Sequence, residues 1–238
     1  MIISHKHKFI FIKTTKTAGT SIEVFLSRHC GENDVVTPFG VEEEGHVARN
    51  STGFWNPIPE MLATGDSFSV LKRLVKRRKF HHHMSARAVR SLVPEKIWTG
   101  YFKFCVERNP WDKTLSHYHM RNHWQGGNLT LEKYFKRGRF PVNFPYYTDD
   151  RGGLLVDQVV KYESLTDGLG EIFGRLGIPF DGTLGAQAKS HFRKDRTPYQ
   201  EIFTDDQKQI LEAVFADEIK MHGYTFDAKQ GSPPGLAR

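Results

Sequence analysis

The chain has 238 residues, a length that favours one medium-sized domain able to bury a core without disulfide bonds. Hydrophobic residues make up 38% and charged residues 26% of it, which excludes collagen-like, mucin-like and wholly disordered proteins. The formal net charge of +7 favours an anionic ligand or partner, but it does not distinguish nucleotide, glycan, nucleic acid and membrane.

The cysteines and the longest apolar runs bear on the compartment. Cys30 and Cys105 are the only cysteines and lie far apart, which excludes a disulfide framework and favours a reducing compartment. The apolar run at residues 9–12 is too short for a signal peptide, and no later run reaches the length of a membrane span. We expect a cytoplasmic protein without integral membrane contact; a soluble lumenal domain separated from its anchor is the alternative.

The first predicted element is a strand at residues 9–12, a continuous apolar run typical of a buried parallel strand. A polar loop follows, and a helix is predicted from about Ile22 because apolar residues then recur at helical spacing. Backbone N–H groups at a helix N-terminus bind oxyanions, Gly19 permits close approach, and Lys16 adds a mobile charge. The sequence therefore predicts a phosphate-type site, with an ordinary helix start as the alternative.

This loop does not fit the Walker A pattern, and no paired aspartates follow that would hold magnesium. A nucleotide bound without an obligatory metal is therefore favoured. Residues 30–64 give weak signals and are predicted to be irregular and surface-exposed. Residues 71–79 carry six basic residues around apolar positions, which predicts a basic amphipathic helix, either a solvated helix face or a polyanion-binding groove.

A second strand–loop–helix unit is predicted in the middle of the chain. A helix at 85–92 with Ser85 as its N-cap precedes a strand at 101–106, which ends just before Arg108. The next helix begins near Trp111, with Pro110 in its first turn, and is closed by the glycine pair at 126–127. Arg108 and Ser116, about two helical turns apart, could hold a second phosphate through a guanidinium and a hydroxyl.

The remaining elements continue the alternation of strands and helices. A helix at 131–140, a loop at 141–153, a strand at 155–162, a helix at 165–176 and a helix from Thr204 to about His222 are predicted. The pattern predicts an α/β fold with a central, mainly parallel sheet flanked by helices, whose ligands bind beyond the carboxyl ends of the strands. We expect a single domain at 1–228 and a disordered tail at 229–238.

Together and in this order, the two loops resemble the nucleotide-binding signatures of the sulfotransferase superfamily, most closely the family-2 type with its carbohydrate, heparan and chondroitin members. The likeness extends to residues 161–165 and 190–224 and leaves 30–78 unmatched. It implies a three-layer, P-loop-like fold and the co-substrate 3'-phosphoadenosine 5'-phosphosulfate (PAPS). It also implies that Arg108 and Ser116 grip the 3'-phosphate and that one loop holds the 5'-phosphosulfate, namely Lys16, Thr17, Ala18, Gly19, Thr20 and Ser21.

Three positions depart from the family pattern. Thr15 stands where the family commonly has proline, Glu107 stands where an apolar residue usually precedes the arginine, and Lys113 replaces a usual arginine. A lysine does not reproduce the bidentate grip of a guanidinium on a phosphate. None of the three departures removes a phosphate contact outright.

Sulfuryl transfer is an in-line displacement that depends on positioning and charge stabilisation, and Lys16 is the candidate for neutralising the leaving group. The family's H-x-[ST]-A segment, matched here by residues 83–86, implies that His83 is the general base. His83 ends a histidine triplet at 81–83, for which the alternative is a polar helix start or a weak adventitious metal site. Other candidate bases lie in the unmatched segment, namely His46, Glu42, Glu43 and Glu44.

A late basic loop precedes Tyr199. In the resembling enzymes a comparable loop folds over the nucleotide, which implies that Arg193 or Lys194 contacts a phosphate and that Tyr199 contacts the adenine. A solvated cluster of charges is the alternative.

The sequence thus predicts a PAPS-dependent sulfotransferase that requires no metal, binds no nucleic acid, and acts on an acceptor hydroxyl, with an anionic glycan suggested by the basic residues at 72–79. A nucleotide-dependent small-molecule kinase and a non-catalytic nucleotide- or polyanion-binding module are the alternatives. The oligomeric state is not predicted.

Overall fold

The computed structural model describes residues 1–39, 44–185 and 197–227. Its centre is a five-stranded sheet in the order β3-β1-β2-β4-β5. The strands are β1 (Ile2–Ser4), β2 (Phe9–Phe11), β3 (Val35–Val36), β4 (Phe102–Glu107) and β5 (Gln158–Lys161). β1 is antiparallel to both β2 and β3, whereas β2, β4 and β5 are parallel. Four strands therefore point one way and β1 the other, which confirms the predicted mainly parallel sheet.

Helices cover the sheet and extend beyond it. They are α1 (Gly19–His29), α2 (Ile58–Thr64), α3 (Ser67–Val75), α4 (Ala86–Leu92), α5 (Glu95–Gly100), α6 (Pro110–Trp124), α7 (Leu131–Arg137), α8 (Phe144–Tyr147), α9 (Leu165–Arg175), α10 (Tyr199–Ile202), α11 (Asp205–Val214) and α12 (Ala216–His222). The predicted N-caps are in place: Ser85 accepts a hydrogen bond from the backbone of Ala88, and Thr204 forms a capping box with Gln207.

The core lies on both faces of the sheet because alternate strand residues point in opposite directions. Phe9 and Phe11 pack on one face with residues of α1 and α9. Ile10 and Ile12 pack on the other face with residues of α4 and α5. A third cluster joins α6 to α10, α11 and α12 around Trp111. The result is a helix–sheet–helix arrangement with one extra packed layer beside α6.

The structure differs from the sequence predictions in several places, and one of them is α8, which lies in the predicted loop at 141–153. The predicted helix from Thr204 to His222 is two helices, because buried Phe215 leaves the helical conformation at φ −106° and ψ 23°. Residues 30–64 contain β3 and α2 as well as irregular chain. The basic helix α3 ends at Val75 rather than at 79. The single domain at 1–228 stays a prediction, and the tail at 229–238 lies outside the described residues.

Candidate functional site

Two loops meet at the carboxyl edge of the sheet. The first loop (residues 13–18) joins β2 to α1, and the second loop (residues 108–109) joins β4 to α6. β2 and β4 are parallel neighbours with Phe11 paired to Phe104, so both strands end at the same edge. This is the arrangement that the sequence predicts for its two candidate loops.

The first loop has an unusual backbone. Lys16 and Ala18 adopt left-handed conformations with φ of 64° and 60°, which cost energy in residues other than glycine. Ala18 is the N-cap residue of α1, and no side chain caps this helix. A Cβ on Gly19 would lie 2.8 Å from Cγ of Lys13, so the backbone approaches that side chain closely. Because no side chain caps α1, its first backbone N–H groups are available to bind an anion.

Threonines and a buried ion pair fix this loop to the sheet. Thr14 Oγ1 donates to the carbonyl oxygen of Val106 and lies 2.8 Å from Thr17 Oγ1. Lys13 is buried and forms an ion pair with Glu23 of α1. Thr17 is therefore a structural contact within the loop in addition to its predicted place near a phosphate.

Arg108 connects the two loops. Its Nη1 donates to the carbonyl oxygen of Lys16 at 3.1 Å, and its Nε donates to Oδ2 of Asp112 at 2.8 Å. The guanidinium carbon lies 4.1 Å from the ring centre of Tyr162. Asn109, the next residue, donates its backbone N–H to Glu163 at 2.7 Å. Tyr162 and Glu163 belong to the segment at 161–165, so this segment packs against the second loop.

Lys16 and Ser116 lie along the same side of α6. Asp112, Ser116 and Met120 recur every four residues and so share one face of the helix. Lys16 Nζ lies 3.7 Å from Sδ of Met120, one turn beyond Ser116. Because Arg108 binds the carbonyl oxygen of Lys16 near the start of this face and Lys16 Nζ reaches Met120, Ser116 shares the helix face along which Lys16 extends.

Two further side chains near Lys16, those of His117 and Arg121, carried no signal in the sequence. Burial, together with the charges of Lys16 and Arg121, lowers the pKa of His117 to about 4. His117 and Arg121 are four residues apart on α6 and therefore lie next to the face that Lys16 follows. Their spacing becomes informative only once α6 is known to pack beside the first loop.

A buried charge cluster explains two of the departures from the family pattern. Lys113 is fully buried, and its Nζ donates to Glu107 Oε1 at 2.7 Å and to Glu218 Oε1 at 3.4 Å. Tyr147 donates its hydroxyl to the other oxygen of Glu107 at 3.1 Å. Lys113 points into the core, where it neutralises the carboxylate that stands in place of an apolar residue. These two departures therefore form one ion pair.

The same cluster reaches the third departure through Asn143. The Asn143 amide donates to Glu107 Oε1 at 3.2 Å and to the carbonyl oxygen of Thr15 at 3.1 Å. Its Oδ1 accepts the backbone N–H of Thr15 at 2.8 Å. A proline at position 15 has no N–H to donate, so threonine and asparagine fit together here. The three unusual residues are members of one hydrogen-bonded network that holds the first loop.

His83 lies against the first loop. Its Nδ1 is 3.0 Å from the carbonyl oxygen of Lys13, and because a carbonyl only accepts, Nδ1 carries the proton and Nε2 keeps its lone pair. Burial lowers the pKa of His83 to about 3, helped by the charges of His82 and Lys13. His83 is therefore neutral at neutral pH, in the tautomer that can accept a proton at Nε2.

The other candidate bases are placed differently. The His46 ring stacks on Phe39 with centres 3.9 Å apart, and its buried Nε2 has no hydrogen-bond partner among the described residues. Burial and the charge of Lys13 lower the pKa of His46 to about 4. Glu44 is exposed, and Glu42 and Glu43 lie outside the described residues. Of the candidates that the structure describes, His83 is hydrogen-bonded to the first loop.

Tyr199 lies inside the protein, where its hydroxyl accepts a hydrogen bond from Asn109 of the second loop at 3.1 Å. It is fully buried, stacks on Trp111 with ring centres 6.1 Å apart, and donates its hydroxyl to the carbonyl oxygen of Phe226 at 2.9 Å. Contact between Tyr199 and an adenine would require this ring to be uncovered. Arg193 and Lys194 lie outside the described residues, so their role in phosphate binding stays a prediction.

No protein-family model matches the chain. An uncharacterized protein of Archaeoglobus fulgidus is 31% identical over 118 residues, which make up 47% of this chain and 98% of that protein. The chain belongs to the same family as that archaeal protein. The name of the archaeal protein states no activity, so the family relationship assigns no activity to this chain.

The chain also aligns with a solved structure. The crystal structure of mouse sulfotransferase SULT7A1 complexed with PAP aligns with a TM-score of 0.45 and 16% sequence identity, over 92% of this chain and 86% of that one. A likeness this distant does not assign a function. The candidate function therefore depends on the residues of the two loops.

Metal ligands and membrane spans are both absent from the described ranges. Within 1–39, 44–185 and 197–227, no group of three or more histidine, cysteine, aspartate and glutamate residues could hold a metal ion. In the same ranges no helix is long and apolar enough to cross a membrane. The predictions of a metal-free site and of a cytoplasmic location stay predictions.

Proposed function

We propose that this protein is a sulfotransferase that moves a sulfuryl group from PAPS to an acceptor hydroxyl. The observation that carries the proposal is the hydrogen bond from Arg108 to the carbonyl oxygen of Lys16, which joins an uncapped helix start to a guanidinium. PAPS presents two separate anionic groups, a 5'-phosphosulfate and a 3'-phosphate. The backbone amides at the start of α1 suit the 5'-phosphosulfate, and the N–H donors of the Arg108 guanidinium suit the 3'-phosphate.

Each predicted ligand has a role in this proposal. The backbone of residues 17–21 and the ammonium of Lys16 hold the 5'-phosphosulfate. Arg108 and Ser116 hold the 3'-phosphate, for which Arg108 exchanges part of its bonding to Asp112 for the phosphate oxygens. The resemblance adds Arg193 or Lys194 as a further phosphate contact and Tyr199 as an adenine contact, neither of which is supported by a contact among the described residues.

The reaction is an in-line displacement at sulfur. The acceptor oxygen forms a new bond to sulfur while the bond from sulfur to the bridging phosphate oxygen breaks, which releases adenosine 3',5'-bisphosphate. Lys16 neutralises the charge that develops on the leaving oxygen. The acceptor proton passes to Nε2 of His83, whose Nδ1–H is fixed by the carbonyl oxygen of Lys13. An anionic co-substrate beside this ring raises its pKa and so makes it a stronger base.

For the acceptor we propose a glycan hydroxyl, on the resemblance to carbohydrate sulfotransferases alone. No residue contact among the described residues selects a glycan over a lipid, a small alcohol or a tyrosine side chain. The acceptor class is therefore a question for a panel of acceptors, with release of adenosine 3',5'-bisphosphate as the common readout.

The test is turnover of PAPS by the full chain in the presence of EDTA with glycan, lipid, alcohol and phenol acceptors. We expect acceptor-dependent release of the bisphosphate, at least about a hundredfold slower in His83→Asn because a general base contributes that much. His123→Asn is the control, since His123 is an exposed histidine outside the triplet. Equal rates in the two variants would refute His83 as base.

The alternatives give different results. Transfer from ATP that requires magnesium, without turnover of PAPS, would establish the kinase reading. Tight bisphosphate binding without turnover on any acceptor would establish a non-catalytic nucleotide-binding module. Either result would overturn the proposed activity.

A further inference from the structure

Exposed apolar residues are concentrated in one part of the surface. Eleven large hydrophobic residues are exposed in the part of the chain that the structure describes, and six of them lie between residues 54 and 75. These six are Phe54, Ile58, Leu62, Phe68, Leu71 and Val75. A concentration of this kind marks an interaction surface rather than the scattered apolar exposure of an ordinary protein surface. We call these residues and the cations beside them the α2–α3 surface.

Helix α3 shows that this exposure is built into the fold. Phe68, Leu71 and Val75 are spaced by three and four residues, so they form one stripe, and they are 79%, 50% and 86% exposed. The opposite side of the helix packs inward through Val70, which is 2% exposed. Asp66 caps the helix by accepting the backbone N–H of Ser69 at 3.0 Å. The helix is held by its inner side and its cap, and the outer stripe contributes nothing to that attachment.

Cations border the stripe. Lys72, Lys76 and Arg78 are exposed on and just after α3. Arg73 is different, since it forms an ion pair with buried Glu60 of α2 and thereby fastens α3 to α2. Because Glu60 is used in this pair and Asp66 is used as the helix cap, the nearby carboxylates do not neutralise the exposed cations.

We propose that the α2–α3 surface binds the surface of an anionic lipid bilayer. A short helix with an apolar stripe and basic flanks lies in the headgroup region, where its apolar side chains enter the acyl boundary and its cations meet anionic headgroups. Nucleic acid and sulfated glycans would engage the cations but would leave Phe68, Leu71 and Val75 in water. A second copy of the chain would bring the same cations face to face, which opposes self-association. This inference does not rest on the proposed function.

The test is sedimentation of the full chain with vesicles of phosphatidylcholine alone and of phosphatidylcholine with phosphatidylglycerol. We expect binding to the anionic vesicles that weakens with added salt. The triple variant Phe68→Ser, Leu71→Ser, Val75→Ser should bind at least about tenfold more weakly, because it loses the inserted stripe. The triple variant Lys72→Gln, Lys76→Gln, Arg78→Gln should lose about a hundredfold at low salt.

Matched controls separate this surface from general effects of charge and hydrophobicity. Ile210→Ser with Val214→Ser removes two exposed apolar residues from α11, and Lys133→Gln, Lys136→Gln, Arg139→Gln removes three exposed cations from and just after α7. Both control variants should bind anionic vesicles like the wild type.

Three results would overturn the inference. The first is an absence of vesicle binding by the wild type, or vesicle binding that the two α3 variants leave unchanged. The second is a dimer in light scattering that the serine variant dissociates, without vesicle binding. The third is retention on heparin that only the glutamine variant abolishes, without vesicle binding.

Discussion

The two helices that begin at the carboxyl edge of the sheet start in opposite ways. α6 is capped by Asn109, whose Oδ1 accepts the backbone N–H groups of Trp111 at 3.1 Å and Asp112 at 3.2 Å, and its first residue is Pro110. α1 starts after Ala18, which is strained and caps nothing with its side chain. α6 has thus satisfied its own first amides, whereas α1 has left its amides open.

This difference assigns the two helices different tasks in the proposed site. The open amides of α1 can receive an anion, as uncapped helix starts do. α6 supplies side chains instead, since Arg108 lies just before its cap and Ser116 lies on its face toward Lys16. Variants of the two helix starts should therefore separate stability from ligand binding.

The largest expected effect is on the free energy of unfolding, through the buried ion pairs that Lys113 of α6 forms. Lys113→Met removes the ammonium that Glu107 and Glu218 share, and a buried carboxylate left without its partner costs about 3–5 kcal/mol in the free energy of unfolding. Urea unfolding at pH 7.5 measures this loss. Lys133→Met, at an exposed position of α7, should stay within about 0.5 kcal/mol of the wild type. A loss below about 1 kcal/mol in Lys113→Met would contradict the assigned role.

The next effect is the pH dependence of stability, to which His83 and His117 should both contribute. The pKa values of His83 and His117 are lowered to about 3 and about 4, chiefly by burial. Below pH 6.5 the unfolded chain binds protons that the folded protein does not, so stability falls as the pH decreases toward 4. Each histidine contributes at most about 1.4 kcal/mol per pH unit to this fall.

Denaturant unfolding between pH 6.5 and 5 tests this expectation. His83→Asn and His117→Asn should each make the loss of stability shallower by about 1–2 kcal/mol over that range. His123→Asn changes an exposed histidine of α6 and serves as the control. Slopes that match the wild type in both test variants would show that these two histidines do not resist protonation in the fold.

A smaller effect is expected from the cap of α6. Asn109→Ala removes the acceptor for two backbone N–H groups and the donor to Tyr199 Oη at 3.1 Å, which should lower the free energy of unfolding by about 1–2 kcal/mol. Affinity for adenosine 3',5'-bisphosphate should change little, because the amides of α6 are not the anion site. Thr130→Ala removes the comparable cap of α7 and should match the stability loss. A large loss of affinity in Asn109→Ala would break the division of tasks between α1 and α6.

The smallest effect should have the opposite sign. Ala18→Gly relieves the left-handed strain at φ 60° and should stabilise the protein by about 0.5–1 kcal/mol in thermal unfolding. Ala213→Gly, at an exposed helical position of α11, should destabilise by about 1 kcal/mol. Destabilisation by both glycines would mean that Ala18 carries no strain.

Local signals made much of this fold predictable. The continuous apolar run at 9–12 gave β2, the helix signals at Ser85 and Thr204 gave the starts of α4 and α11, and Pro110 gave the start of α6. Each of these signals acts within a few residues of the feature that it determines. The antiparallel strand β1 was missed by the sequence analysis.

Tertiary packing decided what the sequence did not reveal. The resemblance aligned Lys113 with a family arginine and implied that Tyr199 contacts an adenine, but each is fully buried by elements distant in sequence. The break at Phe215 has no glycine or proline signal and follows from packing of that ring in the core. The hydrogen bonds from Glu107 through Asn143 to Thr15 join residues far apart in the chain, so no local sequence pattern predicts them.

Calorimetric titration with adenosine 3',5'-bisphosphate and with AMP, in EDTA, tests the central claim most directly. We expect the bisphosphate to bind more tightly than AMP and Arg108→Ala to remove this preference, at a cost of about 1.5–3 kcal/mol for bonds to a charged group. Arg87→Ala, which breaks an ion pair with exposed Asp150, should bind like the wild type. Equal binding of the two nucleotides, or a preference unchanged in Arg108→Ala, would contradict the account.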